Sequence, residues 1–307
     1  MENSTAHCSA SSCGMFLSCR RQAYWHLVRR LTPSAGNMNF DVGTIWHAGL
    51  DAWYTFGKLV AAKKAIQKAV DEVVKNGNSA LATPAVMTTT RAMLEGMLLG
   101  YIERFGNADL KAWKFLKAEH EFSISQFLGS SVDFTGRIDG IVEIAKGGCK
   151  GTWILEHKTT RDLSYYSVET VKNAMQTLAY CAVLPEVLGI KPKGIIWNAV
   201  RKPSKRLKQG QTTEDYAAEI RQDYIDRPDF YYFRQPVFIP SEKIRIWETE
   251  MTLILQDLEL CLKHKDDMTF WYKNTNQCTA YGGCAFIPLC FRGIRRSTLA
   301  MYRTIEK

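Results

Sequence analysis

Residues 132–160 constrain the fold most, because two apolar-rich runs flank the glycine-rich turn KGGCKG (146–151). Apolar and polar residues alternate in both runs, VDFTGRIDGIVEIA and TWILEHKTT, and this period of two is typical of strands. A third segment with the same period, KFLKAEHEFSISQ (114–126), precedes them across the short turn FLGSS. Together the three segments predict successive antiparallel strands.

Helical periodicity occupies the chain on both sides of these strands. The helices predicted before them cover residues 19–31, 40–56, 59–76 and 84–106. After the hairpin we expect a helix over 166–188, a strand over 193–201, an irregular middle segment and a long helix near 242–265. This order predicts a mixed α/β fold in which helices flank a mixed central sheet, with a core of about residues 40–205.

The composition is that of a soluble globular chain, with 46% hydrophobic and 23% charged residues. No run of about 18 apolar residues is present, so no membrane span is predicted. Residues 1–16 lack the basic and apolar regions of a signal peptide, and we expect a cytoplasmic protein. The 40 Lys and Arg residues exceed the 31 Asp and Glu residues by nine, which weakly favours a polyanionic partner. No GxxxxGK[ST] loop occurs, which argues against a built-in ATP-driven motor.

Three charged residues, Asp139, Glu156 and Lys158, lie among the apolar residues of the hairpin. Symmetric pairing about the turn places Asp139 opposite Lys158 and Ile141 opposite Glu156. Because side chains alternate along a strand, all three charges would then project from one face. Converging carboxylates repel unless a cation lies between them, and a divalent ion such as Mg²⁺ meets that need. A solvated strand face with a cross-strand salt bridge explains the same residues equally well.

Three further polar residues accompany these charges. His47 lies in the helical segment GTIWHAGL, where a lone histidine is more often structural than a ligand. Gln176 and Tyr180 lie four residues apart in NAMQTLAY and so share one face of a helix. By composition alone such a pair is more often a plain polar stripe.

Read as an ordered set, these residues resemble the RecB-type branch of the PD-(D/E)XK nuclease superfamily. That branch has a helix-borne histidine in a GxxxH context, here GTIWH (43–47), and then GRID on the second strand (136–139). A D/E-x-K strand follows, here EHK (156–158), and after it a QxxxY helix (176–180). The acid of that strand is Glu rather than the Asp common in the branch, as the D/E motif allows. The resemblance extends over about residues 40–200 and implies a restriction-endonuclease-like core.

The resemblance implies a metal site. His47, Asp139 and Glu156 would bind Mg²⁺ or Mn²⁺, with the main-chain carbonyl of His157 as a further ligand. A nitrogen ligand would let Mn²⁺ bind well alongside Mg²⁺.

The resemblance also implies catalytic and positioning residues. Lys158 would be the catalytic lysine, and Gln176 and Tyr180 would position the DNA strand and the active-site groups. Glu119 in AEHEF (118–122) corresponds to an acidic position on the first core strand and would hold a second metal or its water. Glu121 has the same strand parity, so the choice between these two glutamates stays open.

Nine cysteines without a visible secretion signal favour a metal, a cluster or free thiols over a disulfide framework. Some members of the RecB-type branch hold an iron–sulfur cluster with one cysteine before the nuclease core and three after it. They include CRISPR-associated adaptation nucleases, AddB-type nucleases and many phage-encoded exonucleases. The corresponding residues here are Cys19, Cys278, Cys284 and Cys290.

Four thiolates suit a [4Fe–4S] cluster, which would join the terminal segments of about residues 15–31 and 265–307. The C-x5-C-x5-C spacing departs from the frequent C-x2-C-x5-C pattern and resembles the tails of phage-type members. Four zinc-bound thiolates or reduced buried cysteines are the alternatives. Cys8 or Cys13 could replace Cys19 as the first ligand.

The resemblance implies a metal-dependent DNA exonuclease, with residues 1–307 as a single nuclease domain. Its substrate would be single-stranded DNA ends in recombination, repair or DNA-end processing, with recombination or replication proteins as partners. If the chain is encoded by a phage, the site of action would be the host cytoplasm. Candidate contacts to the DNA backbone are Arg20, Arg21, Arg201, Lys202, Lys205 and Arg206.

Three other readings remain at this point. The same fold could serve a structure-specific endonuclease or could process DNA fragments before CRISPR integration. The chain could also be a non-catalytic module that binds DNA or a partner. Each basic residue named above could equally belong to a solvated surface.

Overall fold

The computed structural model describes residues 7–75, 79–81 and 83–305. Residues 1–6 of the segment predicted to lack a signal peptide, and the predicted helix end at residue 76, lie outside the described residues. The chain divides into two compact units. Unit 1 consists of residues 1–35, 121–137 and 240–307, and unit 2 of residues 36–120 and 138–239. That the whole chain acts as one nuclease domain stays a prediction.

The helices and strands follow one another along the whole described chain. The helices are α1 (Ala10–Ser18), α2 (Arg20–Ala23), α3 (Met38–Phe56), α4 (Leu59–Lys75), α5 (Pro84–Tyr101), α6 (Asn107–Ala112), α7 (Val168–Lys172), α8 (Met175–Leu188), α9 (Thr213–Asp226), α10 (Pro228–Tyr231), α11 (Ser241–Lys263), α12 (Ile287–Arg292) and α13 (Arg296–Leu299). The strands are β1 (His7–Cys8), β2 (Leu31–Pro33), β3 (Trp113–Ile124), β4 (Asp133–Ile144), β5 (Gly151–Thr160), β6 (Gly194–Arg201), β7 (Tyr232–Phe238) and β8 (Tyr302–Thr304). Two π-helical turns, Tyr24–Val28 and Ile102–Gly106, continue α2 and α5.

The main sheet is mixed, as the sequence predicts. Its strands lie in the order β1-β4-β5-β6-β7, and β3 also pairs with β4. β5 is antiparallel to β4 and parallel to β6, while β7 is antiparallel to β6. A separate two-stranded sheet joins β2 and β8. The predicted mixed α/β fold, with helices flanking a mixed central sheet, is confirmed.

Helix α3 illustrates how the core of unit 2 forms. The Asn37 side chain caps its first turn by accepting a hydrogen bond from the Asn39 amide, and Gly57 ends it in the left-handed region (φ 61°). Ile45, Leu50 and Trp53, which the periodicity predicts to face a core, are buried. They pack in one cluster with residues of α4, α5, α9 and strands β4 to β6. This packing fixes the rotation of α3 and hence the direction of its polar residues.

The hairpin of β4 and β5 has a different register from the predicted one. Gly140 lies opposite Leu155 and Ile141 opposite Ile154, so the pairing predicted for Asp139 with Lys158 was wrong by two positions. The reason is that β4 ends at Ile144, and the turn begins one residue earlier than expected. A shift of two preserves the alternation of faces. Continuing the observed register places Asp139 opposite Glu156.

Several predicted helix boundaries were wrong. The predicted helix over 166–188 is two helices, because Ala174 adopts an extended conformation (ψ 131°) between α7 and α8. The predicted helix over 19–31 ends in a π-helical turn at Val28, and residues 31–33 form β2 instead. The helical half of the chain, whose last predicted helix ends at residue 106, continues to the end of α6.

The segment predicted to be irregular, between residues 209 and 241, is largely ordered. It contains α9, α10 and β7. The start of α9 carries a recognisable signal, because Thr212 caps it and Glu214 and Asp215 lie in its first turn.

No helix in the described part of the chain is long and apolar enough to cross a membrane. The cytoplasmic location stays a prediction.

Candidate active site

Unit 2 brings the predicted site residues together from four elements. They are His47 on α3, Asp139 on β4, Glu156 and Lys158 on β5, and Gln176 and Tyr180 on α8.

Asp139 contacts two elements at once. Its Oδ1 lies 3.1 Å from His47 Nδ1, and its Oδ2 accepts a hydrogen bond of 2.8 Å from the main-chain amide of His157. Burial acts to raise the pKa of Asp139, but the hydrogen bond and charge of His47 outweigh burial and lower the pKa. Burial likewise acts to lower the pKa of His47, and Asp139 reverses this effect so that the pKa is raised. The pair therefore favours an ionised carboxylate and a protonated imidazole.

Glu156, Lys158 and Gln176 form a closed set of contacts. Lys158 Nζ lies 2.6 Å from Glu156 Oε1 and donates a hydrogen bond of 2.8 Å to Gln176 Oε1. The Gln176 amide group donates to Glu156 Oε1 at 2.8 Å and to Tyr180 Oη at 2.9 Å. Since α8 begins only at Met175, its first turn holds Gln176 against β5.

Glu156 is the most strongly perturbed of these groups. Its residue is only 1% exposed, and its Oε2 atom is buried without a hydrogen-bond partner in the part of the chain that the structure describes. Burial raises the pKa of Glu156 to about 7, and the charge of Asp139 adds to this while Lys158 opposes it. A carboxylate that needs a cation beside it to stay ionised is a group suited to hold a metal.

A small cavity lies in front of the His47–Asp139 pair. Its lining is formed by His47, Asp51, Tyr54, Phe115, Ala118, Glu119, Asp139 and His157. Glu119 has a positive φ of 37°, which is costly for a residue other than glycine and is found where a structure constrains a side chain. Glu121 is exposed and does not line the cavity. The geometry therefore favours Glu119 over Glu121 as the acidic residue on β3.

A family comparison covers the part of the chain that contains these residues. The model of the PD-(D/E)XK nuclease superfamily matches residues 7–291 of the chain. The chain belongs to the PD-(D/E)XK nuclease superfamily. No curated protein matches it.

Membership in the PD-(D/E)XK superfamily makes the chain an enzyme of a phosphodiester hydrolase family. It confirms the predicted superfamily, the predicted restriction-endonuclease-like core and the nucleic-acid substrate class. The finer predictions, among them the RecB-type branch and the residue roles, stay predictions.

PD-(D/E)XK nucleases typically use a divalent metal, and the donors in unit 2 fit one. Two carboxylates and an imidazole converge here, and one buried oxygen of Glu156 lacks a partner among the described residues. In the present arrangement, however, the described residues contain no group of three or more His, Cys, Asp or Glu that could hold a metal ion. As they stand, His47 Nδ1 contacts Asp139 Oδ1 and Lys158 Nζ lies against Glu156 Oε1.

Sequence reasoning missed a network of buried polar side chains next to the site. The Asn198 amide group lies 2.7 Å from His157 Nδ1 and donates to Tyr101 Oη at 2.9 Å. Burial lowers the pKa of His157 to about 3, so its ring stays neutral, and Tyr54 stacks on it at 5.8 Å. Tyr101 shares a hydrogen bond with the Tyr54 hydroxyl, and Tyr54 and Arg234 both donate to Asp109 Oδ2. An Asn within the apolar strand segment GIIWNAVR was the available signal for this network.

Asp51 is a second residue that sequence reasoning missed. It lies four residues after His47 on α3, and it lines the same cavity as His47 and Asp139. The i,i+4 spacing of a histidine and an aspartate was the available signal.

The four predicted cluster ligands line one small cavity in unit 1. These residues are Cys19, Cys278, Cys284 and Cys290. Trp25 Nε1 donates to Cys290 Sγ at 3.3 Å, and the main-chain amide of Asn274 donates to Cys19 Sγ at 3.4 Å. Burial raises the pKa of Cys284 and of Cys290, and the neighbouring thiols add to it for both. These thiols are donors of the kind that a cluster needs, but in the present arrangement no three of the described cysteines are placed to hold a metal ion.

The other cysteines lie apart from this cavity. Cys8 and Cys13, the alternative first ligands, interact with each other and do not line it.

Most of the basic residues predicted to contact DNA have partners within the chain. Arg20 pairs with Asp257, Arg21 donates to the main chain of Trp271 and Met268, Arg201 pairs with Asp162, Lys202 donates to Asn39, and Lys205 pairs with Glu219 and Asp223. Arg206 is exposed. Contact of these six residues with DNA stays a prediction.

Proposed function

We propose that the chain is a divalent-metal-dependent DNA exonuclease that hydrolyses phosphodiester bonds at single-stranded ends. The observation that carries this proposal is the contact of Lys158 with Glu156 and Gln176 beside the buried His47–Asp139 pair. A merely solvated strand face would leave these charges exposed, whereas Asp139 is 7% and Glu156 1% exposed in their side chains.

Each residue has a proposed role that follows from its contacts. His47, Asp139 and Glu156 would hold Mg²⁺ or Mn²⁺, and Glu119 would hold a second ion or its water. A bound divalent ion would act there as a Lewis acid on the scissile phosphate.

Lys158 is the proposed catalytic residue. Burial acts to lower its pKa, but the charge and hydrogen bond of Glu156 outweigh burial and raise it, so the ammonium stays charged. A fixed cation at this position would stabilise the charge that develops on the phosphate. Gln176 orients both Lys158 and Glu156 through its two hydrogen bonds, and Tyr180 holds the Gln176 amide group.

For unit 1 we propose a [4Fe–4S] cluster on Cys19, Cys278, Cys284 and Cys290. Support comes from the shared cavity of the four thiols and from the N–H groups of Trp25 and Asn274, because N–H groups that donate to sulfur tune such clusters. Four cysteines could also hold zinc, and metal analysis separates the two. The RecB-type branch, a phage origin, and recombination or replication partners belong to the same proposal and rest on the sequence resemblance alone.

Labelled linear, circular and flapped DNA, incubated with Mg²⁺ or Mn²⁺, tests the proposal. An exonuclease degrades linear strands and spares circles. Cutting of circles would favour an endonuclease, cutting only at flaps would favour a structure-specific one, and binding without any cutting would favour a non-catalytic module.

A further inference from the structure

We propose that Phe40, Arg161 and Lys202 form a nucleotide-binding patch next to the catalytic site, in which Phe40 stacks on an unpaired base and the two cations bind the adjacent phosphate. This inference rests on the proposed nuclease function and deepens it, because it gives a physical reason for preferring single strands. All three residues belong to unit 2.

The position of Phe40 on α3 is the first support. Phe40 and His47 lie seven residues apart on α3, so they share one face of the helix and are separated by about 10 Å along its axis. His47 is largely enclosed at this face, whereas Phe40 is 75% exposed. A single exposed aromatic residue is ordinary on a protein surface. An exposed aromatic residue on the same helix face as a candidate metal ligand is suited to bind a nucleotide, because aromatic rings bind bases by stacking.

The residues that follow β5 and β6 lie near the start of α3. Arg161 directly follows β5 and lies three residues, or about 10 Å, beyond Lys158. Lys202 directly follows β6, and its main-chain amide donates to the Thr160 carbonyl at 2.7 Å. Lys202 Nζ donates to Asn39 Oδ1 at 2.6 Å, and Asn39 precedes Phe40 in α3. The start of α3 therefore meets the ends of β5 and β6.

A second close contact connects α3 with the end of β5. A Cβ atom at Gly43 would lie 3.7 Å from Thr159 Oγ1, so α3 passes close to the end of β5 between Phe40 and His47. The patch and the catalytic site thus lie along one continuous path on α3 and β5.

The charge of the patch favours an anion. Neither Arg161 nor Lys202 forms an ion pair with any residue that the structure describes. Burial lowers the pKa of Lys202 to about 8, and the nearby charge of Arg161 adds to this effect. The nearby Asp162 pairs with Arg201 rather than with either of these cations, and a phosphate would relieve the repulsion between Arg161 and Lys202. An acidic peptide could supply the negative charge but has no base for Phe40.

The test uses the full chain and fluorescein-labelled single-stranded oligothymidylate, with binding measured by anisotropy in EDTA, where no metal-dependent cleavage occurs. We expect Phe40→Ala to weaken binding by about five- to a hundredfold, and Phe40→Trp to retain it. The matched control is Phe56→Ala, since Phe56 is the last residue of the same helix and is 63% exposed. It should bind as the wild type does.

Two further measurements separate stacking from a general loss of structure. An abasic strand of the same length should bind wild type and Phe40→Ala equally, because it offers no base. Lys202→Ala should reduce the slope of log K against log salt by about 0.7, the value for one single-strand phosphate contact. Lys191→Ala, an exposed lysine near the opposite end of β6, should leave the slope unchanged.

The outcomes also distinguish the two proposals. If wild type cleaves DNA but Phe40→Ala binds oligothymidylate as tightly as wild type, the patch is wrong and the nuclease function stands. An equal loss for the abasic strand, or wild-type affinity for an acidic peptide lost in Phe40→Ala, would also overturn base stacking. If wild type neither binds nor cleaves DNA, both proposals fall.

Discussion

Units 1 and 2 build their candidate sites in different ways. In unit 2 the site residues hold one another through hydrogen bonds, as in the contact of Gln176 with Lys158 and Glu156. In unit 1 the four cysteines share a cavity, but the hydrogen bonds to their sulfurs come from the Trp25 indole and the Asn274 amide. The protein alone therefore assembles the first site, whereas a bound group would have to complete the second. Substitution should affect chemistry in unit 2 and cofactor content in unit 1.

The largest expected effect is in unit 2. Lys158→Met or Asp139→Asn should reduce metal-dependent DNA cleavage by about 10²- to 10⁴-fold, because each removes a group that we propose to act on the phosphate or the metal. Circular dichroism should show an unchanged fold. Lys146→Met is the matched control, since Lys146 is an exposed lysine in the turn of the same hairpin. Full activity in both site variants would refute the assignment.

The corresponding change in unit 1 should affect iron rather than a single chemical step. Anaerobically purified wild type should be brown with about four irons per chain, and Cys284→Ser should lose the colour and most of the iron. Cys149→Ser, in the hairpin turn of unit 2, should keep both. A colourless wild-type protein with stoichiometric zinc would show that the cluster proposal is wrong.

A smaller effect tests whether unit 2 is held together by its own hydrogen bonds. Asn198→Ala should lower the free energy of unfolding by about 1–3 kcal/mol, because buried groups of His157 and Tyr101 lose a partner. Urea denaturation measures this change. Asn107→Ala at an exposed position of α6 should change it by less than about 0.5 kcal/mol. Equal effects of the two substitutions would argue against a stabilising network.

A further prediction concerns the pH dependence of metal binding in unit 2. Burial and Asp139 raise the pKa of Glu156 to about 7, and Asp139 raises that of His47, so a metal must displace protons below neutral pH. Mn²⁺ affinity should therefore increase with pH, by about tenfold per unit for each proton displaced, and level off above the two pKa values. Calorimetric titration on either side of neutrality measures it. Glu156→Gln should make Mn²⁺ affinity depend less steeply on pH, whereas the exposed Glu121→Gln should leave this dependence unchanged. An unchanged dependence in Glu156→Gln would contradict the proposed role of Glu156.

The sequence predicted most of the features that depend on a single helix or strand. Period-two alternation identified β3, β4 and β5, and helical periodicity identified α3 with its buried Ile45 and Leu50. Alternation also survived the error in register, since a shift of two residues leaves every side chain on its own face.

The errors and omissions arise from interactions between distant segments. The Asn198–His157 contact joins neighbouring strands, and Arg234 meets Asp109 across 125 positions, so no local pattern marks either. β7 contains Pro236 at an exposed position, and proline argues against a strand unless the strand lies at an edge. The break between α7 and α8 depends on one extended residue, Ala174, whose type favours helix.

Digestion of single-stranded DNA by the wild-type chain, with linear and circular substrates compared in Mn²⁺ and in chelator, tests the proposed exonuclease activity most directly. We predict that linear strands are degraded only with metal and that circles persist. Retained DNA binding with no cleavage of any substrate in Mg²⁺ or Mn²⁺ would contradict it.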